Sequence, residues 1–382
     1  MTLLSTVLVF LLLVGLFVGL VYRGRAYWGW VLALGGVLLA WVTSGTASPQ
    51  LLALLAGIYV ASAAVFGLRP LRRRLVTPWV MGLVGRMLPR MGDTERIALE
   101  AGTVWWDRDL FSGDPDWKKL LDFNRRALSE KERAFLDGPV QELCGMLDEW
   151  KVTQAGDLPR EAWDFIKRHR FFGMVIPEEY GGLGFSAIAH SAVVVKLASR
   201  SVTAAVTVMV PNSLGPAELL LRYGTDEQKA RYLSRLASGE EIPCFALTGP
   251  EAGSDAAATQ SEGVVCRRVF EGRDVLGMRL NWRKRYITLG PVSTLIGLAF
   301  RLKDPERLLG GEDDLGITCA LVPSHLPGIE IGQRHDPMGV PFHNGPNSGR
   351  DVFLPLEFIV GGREGAGQGW RMLMESLAAG RS

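Results

Sequence analysis

Three apolar runs fill the first 68 residues: Leu3–Tyr22, Ala26–Val42 and Leu51–Leu68. The stretch holds no acidic residue, and its cations are Arg23 and Arg25. About 20 consecutive apolar residues are enough to cross a bilayer as a helix. Residues 1–68 are therefore expected to be an anchor of two or three transmembrane helices. The second run is short, but Trp28, Trp30 and Trp41 sit near its ends, where aromatic rings favour the membrane interface. A cleaved signal peptide fits less well, because no basic residue precedes Arg23 and further apolar runs follow.

Charge orients this anchor. Arg23 and Arg25 separate the first two runs, the linker Thr43–Gln50 is uncharged, and Arg69, Arg72, Arg73, Arg74, Arg86 and Arg90 follow the third. Positive residues stay on the cytoplasmic side. The expectation is a bacterial inner-membrane protein with a cytoplasmic body, its Arg cluster close to anionic headgroups. A polytopic transporter is not expected, since no comparable run is read after residue 68.

The body reads differently. Residues 69–128 form a linker region broken by Pro70, Pro78, Pro89 and Pro115. Residues 129–240 read as helical. Ser129 and Glu132 have capping-box spacing, and Phe135, Val140, Leu143 and Leu147 recur near a helical period. Further helices are expected at Pro159–His169, His190–Ser201 and Asp226–Ser238. Residues 241–363 switch to short β-branched runs separated by Gly and Pro, which points to a β-sandwich or barrel. Strands are expected at Pro243–Thr248, Gly263–Phe270, Asp274–Leu280, Arg285–Thr288, Thr294–Arg301, Gly316–Val322 and Gly328–Gly332. At 364–382 a helical pattern returns, with Trp370, Leu373 and Met374. It is expected to have no partner before Ser382, and because a lone helix of this length is marginal in water, a further domain is expected to follow it. The fold class is thus α+β and multidomain: transmembrane helices, a helical domain, a β domain and the start of a second helical domain.

Composition removes other classes. A net charge of +2 with no basic stripe among aromatics speaks against nucleic acid binding. Cys144, Cys244, Cys266 and Cys319 form no CxxC pair, and no Cys or His spacing suggests a metal site.

Particular segments carry more. In "CFALTGPEAGSDAA", Cys244–Ala257, a strand ending at Leu247–Thr248 can offer an amide and a hydroxyl to an electron-poor ring edge. Gly253 and Ser254 then turn the chain close to a ligand. "KRYITLGP", Lys284–Pro291, lies about 40 residues later in the β region. These segments resemble the two flavin motifs of the acyl-CoA dehydrogenases, aromatic-x-[VL]-T-E-P-x-A-G-S-D and W-I-T. Gly249 replaces the usual Glu and Tyr286 the usual Trp. "PEEYGGLGFS" and "YGTDEQKARYLSRLASGEEIP" resemble that family's helical domain, and "RHDPMGVPFHNGPNSGRDVFLPLEFIVGG" the end of its β domain. In that last loop His335 and His343 are expected to serve shape and domain contacts. "GQGWRMLMESLAAGRS" resembles the first helix of its carboxy-terminal domain.

The resemblance implies FAD as cofactor, contacted by Phe245, Leu247, Thr248, Gly253, Ser254, Tyr286, Ile287 and Thr288. It implies a fatty acyl-CoA substrate touched by Ser254 and Arg381, and an electron-transfer flavoprotein as redox partner. The implied reaction is α,β-dehydrogenation of medium- or long-chain acyl-CoA to trans-2-enoyl-CoA in fatty-acid β-oxidation. In a minority of relatives the base precedes the matched Arg; here that position is Gly380. The catalytic base is therefore expected beyond Ser382, the isolated chain is expected to be inactive, and the full-length protein is expected to be a homo-oligomer. The alternatives are an acyl-CoA oxidase and a non-catalytic, membrane-bound acyl-CoA or flavin binder.

Overall fold

The computed structural model describes residues 3–45, 48–88, 91–101, 105–124, 126–213 and 215–379. Pro89, Arg90, Gly380 and Arg381 lie outside them. The chain divides into two compact units, Met1–Met91 and Gly92–Ser382.

In the first unit the three apolar runs are helices, Leu3–Tyr22, Ala26–Thr43 and Pro49–Gly67. Small residues let them approach closely, as in membrane helix pairs. Gly29 lies against Phe17 and Gly36 against Leu13, where a Cβ on Gly36 would come within 2.6 Å. Half-buried tyrosines find backbone partners across the second and third helices: Tyr27 donates to the Ala63 carbonyl at 3.0 Å and Tyr59 to the Val31 carbonyl at 2.9 Å. Val7, Leu11, Phe17, Leu32, Leu54 and Val60 point outward and are exposed. Two short helices follow, Arg69–Leu75 and Thr77–Gly85, with Pro70 and Pro78 in their first turns. Proline is tolerated there because the N–H it lacks would have no intrahelical acceptor. The prolines thus start helices where the sequence suggested breaks.

The second unit is α+β. Short helices from Glu130–Asp137 to Asp226–Ser238 make its helical half. The expected capping box forms, and Glu132 does more than close it. One carboxylate oxygen accepts from the Ser129 N–H at 2.8 Å and the other from Ser186 N–H at 2.8 Å, the N-cap of the helix Ala187–Ala198. One buried side chain therefore ties two helix starts together. Val202–Tyr223 is apolar and long enough to cross a membrane, so the reading that no such run follows residue 68 needs correction. Most of it is buried inside the unit, and it is two helices, Val202–Met209 and Pro216–Tyr223.

Among the described residues seven strands form one sheet: β1 Pro243–Ala246, β2 Glu262–Phe270, β3 Arg273–Thr288, β4 Leu295–Lys303, β5 Asp314–Pro323, β6 Ile329–Ile331 and β7 Asn344–Pro355. Their order is β1-β4-β2-β3-β7-β6, with β5 on the other side of β4. Two expected strands, Asp274–Leu280 and Arg285–Thr288, are one 16-residue strand, β3. β7 was not expected at all, because Asn344–Gly349 reads as a turn-rich loop. Antiparallel pairing along β3 overrides that propensity. The final helix, Gly369–Ala379, has a partner after all. Met372 and Leu373 are buried, and Trp370 donates its ring N–H to the Thr94 carbonyl at 2.8 Å.

Candidate functional site

The site grows from the end of β1. Phe245 is buried, and its ring lies over Gly297 of the parallel neighbour β4; a Cβ at Gly297 would come within 2.6 Å of it. β1 ends at Ala246, leaving Leu247 and Thr248 half-buried. A tight turn follows, closed by Gly249 N–H donating to the Ala252 carbonyl at 3.0 Å, and it presents Gly253 and Ser254 to solvent.

The end of β3 locks onto this segment. The Arg285 N–H donates to the Thr248 carbonyl at 3.0 Å, and its guanidinium to the Pro250 carbonyl at 2.8 Å. The two sequence segments singled out above are therefore neighbours in space. Neither the N–H nor the hydroxyl of Thr248 has a partner among the described residues. Thr288 accepts from Asn344 Nδ2 at 3.2 Å, which leaves its own hydroxyl hydrogen free.

Between Lys284 and Ile287 the β3–β7 register shifts. This bulge holds Tyr286 at φ 61° and 57% exposed. A side chain in left-handed backbone is a strained arrangement that clusters at functional sites. The Tyr286 ring packs on His335 with centroids 5.0 Å apart, and the Arg285 guanidinium lies 5.0 Å from its centre. Ile287 is buried in the core. At Phe245 and Ile287 the backbone is what a ligand could reach, whereas Thr248, Ser254, Tyr286 and Thr288 offer side chains.

Lys284 is the residue sequence reasoning missed. In β3 the alternate residues Met278, Leu280, Trp282 and Lys284 are all buried. Period-two alternation was a signal that could have found it. Its ammonium donates to the Leu247 carbonyl at 2.7 Å and to Thr259 Oγ1 at 3.1 Å. Burial pulls its pKa down to about 8. Elsewhere, His343 Nε2 lies 3.0 Å from Asp157 Oδ2, joining the helical half to the sheet as the sequence implied. Burial raises the Asp157 pKa, but hydrogen bonds from His343, Trp163 and Leu158 outweigh this and hold it below the carboxylate range.

A cleft of about 750 Å³ opens beside the loop, walled by Gly249–Ala252, Asn281–Arg283 and Ser348–Arg350. The free donors at Thr248 and Thr288 and the exposed Tyr286 ring suit a flat, acceptor-rich ring. On this donor chemistry the site fits a flavin.

Comparison with known proteins agrees. Residues 124–240 match the family model "Acyl-CoA dehydrogenase, N-terminal domain" and residues 244–350 "Acyl-CoA dehydrogenase, middle domain", together more than half of the chain. The chain is 35% identical over 204 residues to a 3-(aryl)acrylate reductase of Clostridium sporogenes, covering 53% of this chain and 50% of that protein. It is 29% identical over 293 residues to the probable acyl-CoA dehydrogenase FadE10 of Mycobacterium tuberculosis, covering 75% and 43%. A shorter match, 57% over 83 residues, covers 22% of this chain and 49% of Protein HemX of Proteus mirabilis. The chain thus spans about half the length of these curated relatives. Among solved structures, the acyl-CoA dehydrogenase from Bacillus anthracis complexed with FAD shares the fold. Its TM-score is 0.57 at 21% identity, over 68% of this chain and 41% of that one. FAD is the cofactor of the group these matches define, and the chain belongs to the acyl-CoA dehydrogenase family.

Proposed function

We propose that this protein catalyses FAD-dependent α,β-dehydrogenation of a medium- or long-chain fatty acyl-CoA to trans-2-enoyl-CoA. The observation that carries the reading is the unpartnered N–H and hydroxyl of Thr248, held beside the Thr288 segment by the Arg285 N–H. Bound FAD supplies the hydride acceptor. Thr248 and Thr288 donate hydrogen bonds to its ring, fixing it and stabilising charge that develops there. The backbone at Phe245, Leu247 and Ile287 shapes the seat, and Tyr286 covers the ring. Ser254, on the exposed turn after Gly253, meets the pantetheine arm of the substrate. Arg381 is assigned to substrate by the family motif alone, and no general base is assigned among the described residues.

The partner for the electrons is an electron-transfer flavoprotein. The three apolar helices hold the body at the cytoplasmic face of the bacterial inner membrane, and the protein works as a homo-oligomer. To test the reaction, the FAD-loaded protein is purified from its own membranes and mixed anaerobically with long-chain acyl-CoA. Bleaching of the flavin band with formation of enoyl-CoA is expected. Intact acyl-CoA with an unbleached flavin would refute the reading, and peroxide released in air would identify an oxidase.

A further inference from the structure

We infer that Lys284 is a positioning residue for the flavin edge: its buried ammonium grips the Leu247 carbonyl and so sets the peptide whose N–H, at Thr248, is the donor assigned to the ring. The inference rests on the FAD reading above.

A lysine is out of place where Lys284 stands. Its neighbours on that face of β3, Met278, Leu280 and Trp282, are buried and apolar, and a methionine would continue the stripe without a charge. Lys284 is itself only 2% exposed. Burying a cation is costly unless something compensates it. No carboxylate pairs with it among the described residues. The titratable group that acts on it is Cys319 of β5, whose burial pushes the thiol up to about 12, so it stays neutral. Compensation comes from two neutral oxygens, the Leu247 carbonyl at 2.7 Å and Thr259 Oγ1 at 3.1 Å.

The Leu247 carbonyl and the Thr248 N–H belong to one peptide group. In a trans peptide they point in opposite directions. An ammonium on the oxygen polarises that group and makes its N–H a stronger donor. The cation also lies one peptide away from the donor assigned to the ring edge where negative charge builds on reduction. Both effects favour the reduced cofactor over the oxidised one.

The test uses the whole 382-residue chain in detergent, loaded with FAD, and compares Lys284→Met, Lys284→Gln and Lys284→Arg. Glutamine still donates to Leu247 but carries no charge, so it serves if the methionine variant does not fold. The readouts are FAD affinity and the reduction potential of bound FAD by dye equilibration. Both neutral variants should lower the affinity for reduced relative to oxidised FAD about tenfold, which is about 30 mV for a two-electron couple. The arginine variant should recover most of that loss. A purely structural lysine would lower thermal stability and leave the potential of bound FAD where it was; that result overturns the inference. If the unmutated chain takes up no FAD, the FAD reading itself has failed.

Discussion

Glu132 shows how much a single side chain holds. Burial alone would raise its pKa, yet the Ser186 and Ser129 N–H bonds dominate and lower it from 4.5 to about 2. A carboxylate with a depressed folded pKa gives stability that is complete above about pH 4.5 and drains away as pH falls toward 2. Glu132→Gln should cost about 2 kcal/mol at neutral pH, the scale of hydrogen bonds to a charged group. Thermal melts between pH 2 and pH 7 check this: the variant's deficit should shrink on acidification, and a constant deficit would mean the charge is irrelevant. The Ser129–Glu132 box was legible because it is local in sequence. The second bond, to Ser186, was not, since it spans 54 positions and only folding brings the two together. The Leu247–Thr248 edge was legible as a motif, whereas its lock, Lys284 and Arg285, needed the pairing of chain segments that no local pattern reports.

At the scale of elements, β1 and the bulge in β3 place the site, and both depend on residues that donate nothing to a ligand. Gly297 is required where the Phe245 ring crosses β4. Gly297→Ala should overpack this contact, cost about 1–3 kcal/mol, and weaken FAD binding by displacing the end of β1. Denaturant melts and a flavin titration on the same preparation measure both effects; a stability loss with unaltered flavin affinity would show that β1 does not set the site. Among the described residues, about half of the helices and six of the seven strands are visible from hydrophobic periodicity, although one strand reads as two, and the helices from Arg69–Leu75 to Trp117–Leu121 stand where a linker was expected. β7 escaped because Asn344–Gly349 looks like a turn, and a strand defined by its partner carries little intrinsic signal. The last helix was misjudged for the same reason. Its partners, the helix Asp93–Ala101 and β5, stand far from it in sequence.

The whole molecule joins two kinds of surface. The three N-terminal helices expose large apolar side chains along their length, while the second unit gathers a large share of its apolar residues into a buried core. Alkaline carbonate should leave the full chain in the membrane pellet, and a chain starting at Gly92 should stay in the supernatant. Release of the full chain by carbonate would argue against an integral anchor. The apolar N-terminal stretch and the body were separable in the sequence because their composition differs so sharply, and the short second run is the helix Ala26–Thr43. The second unit is proposed to hold FAD at the edge formed by Thr248 and Thr288. Titrating the purified, FAD-depleted chain with FAD and following flavin fluorescence tests it directly. Saturable uptake of one FAD per chain is expected, weakened about tenfold by Thr248→Val and by Thr288→Val, since each loses about one hydrogen bond to a polar ring. No uptake, or uptake that both valine variants leave unchanged, would contradict it.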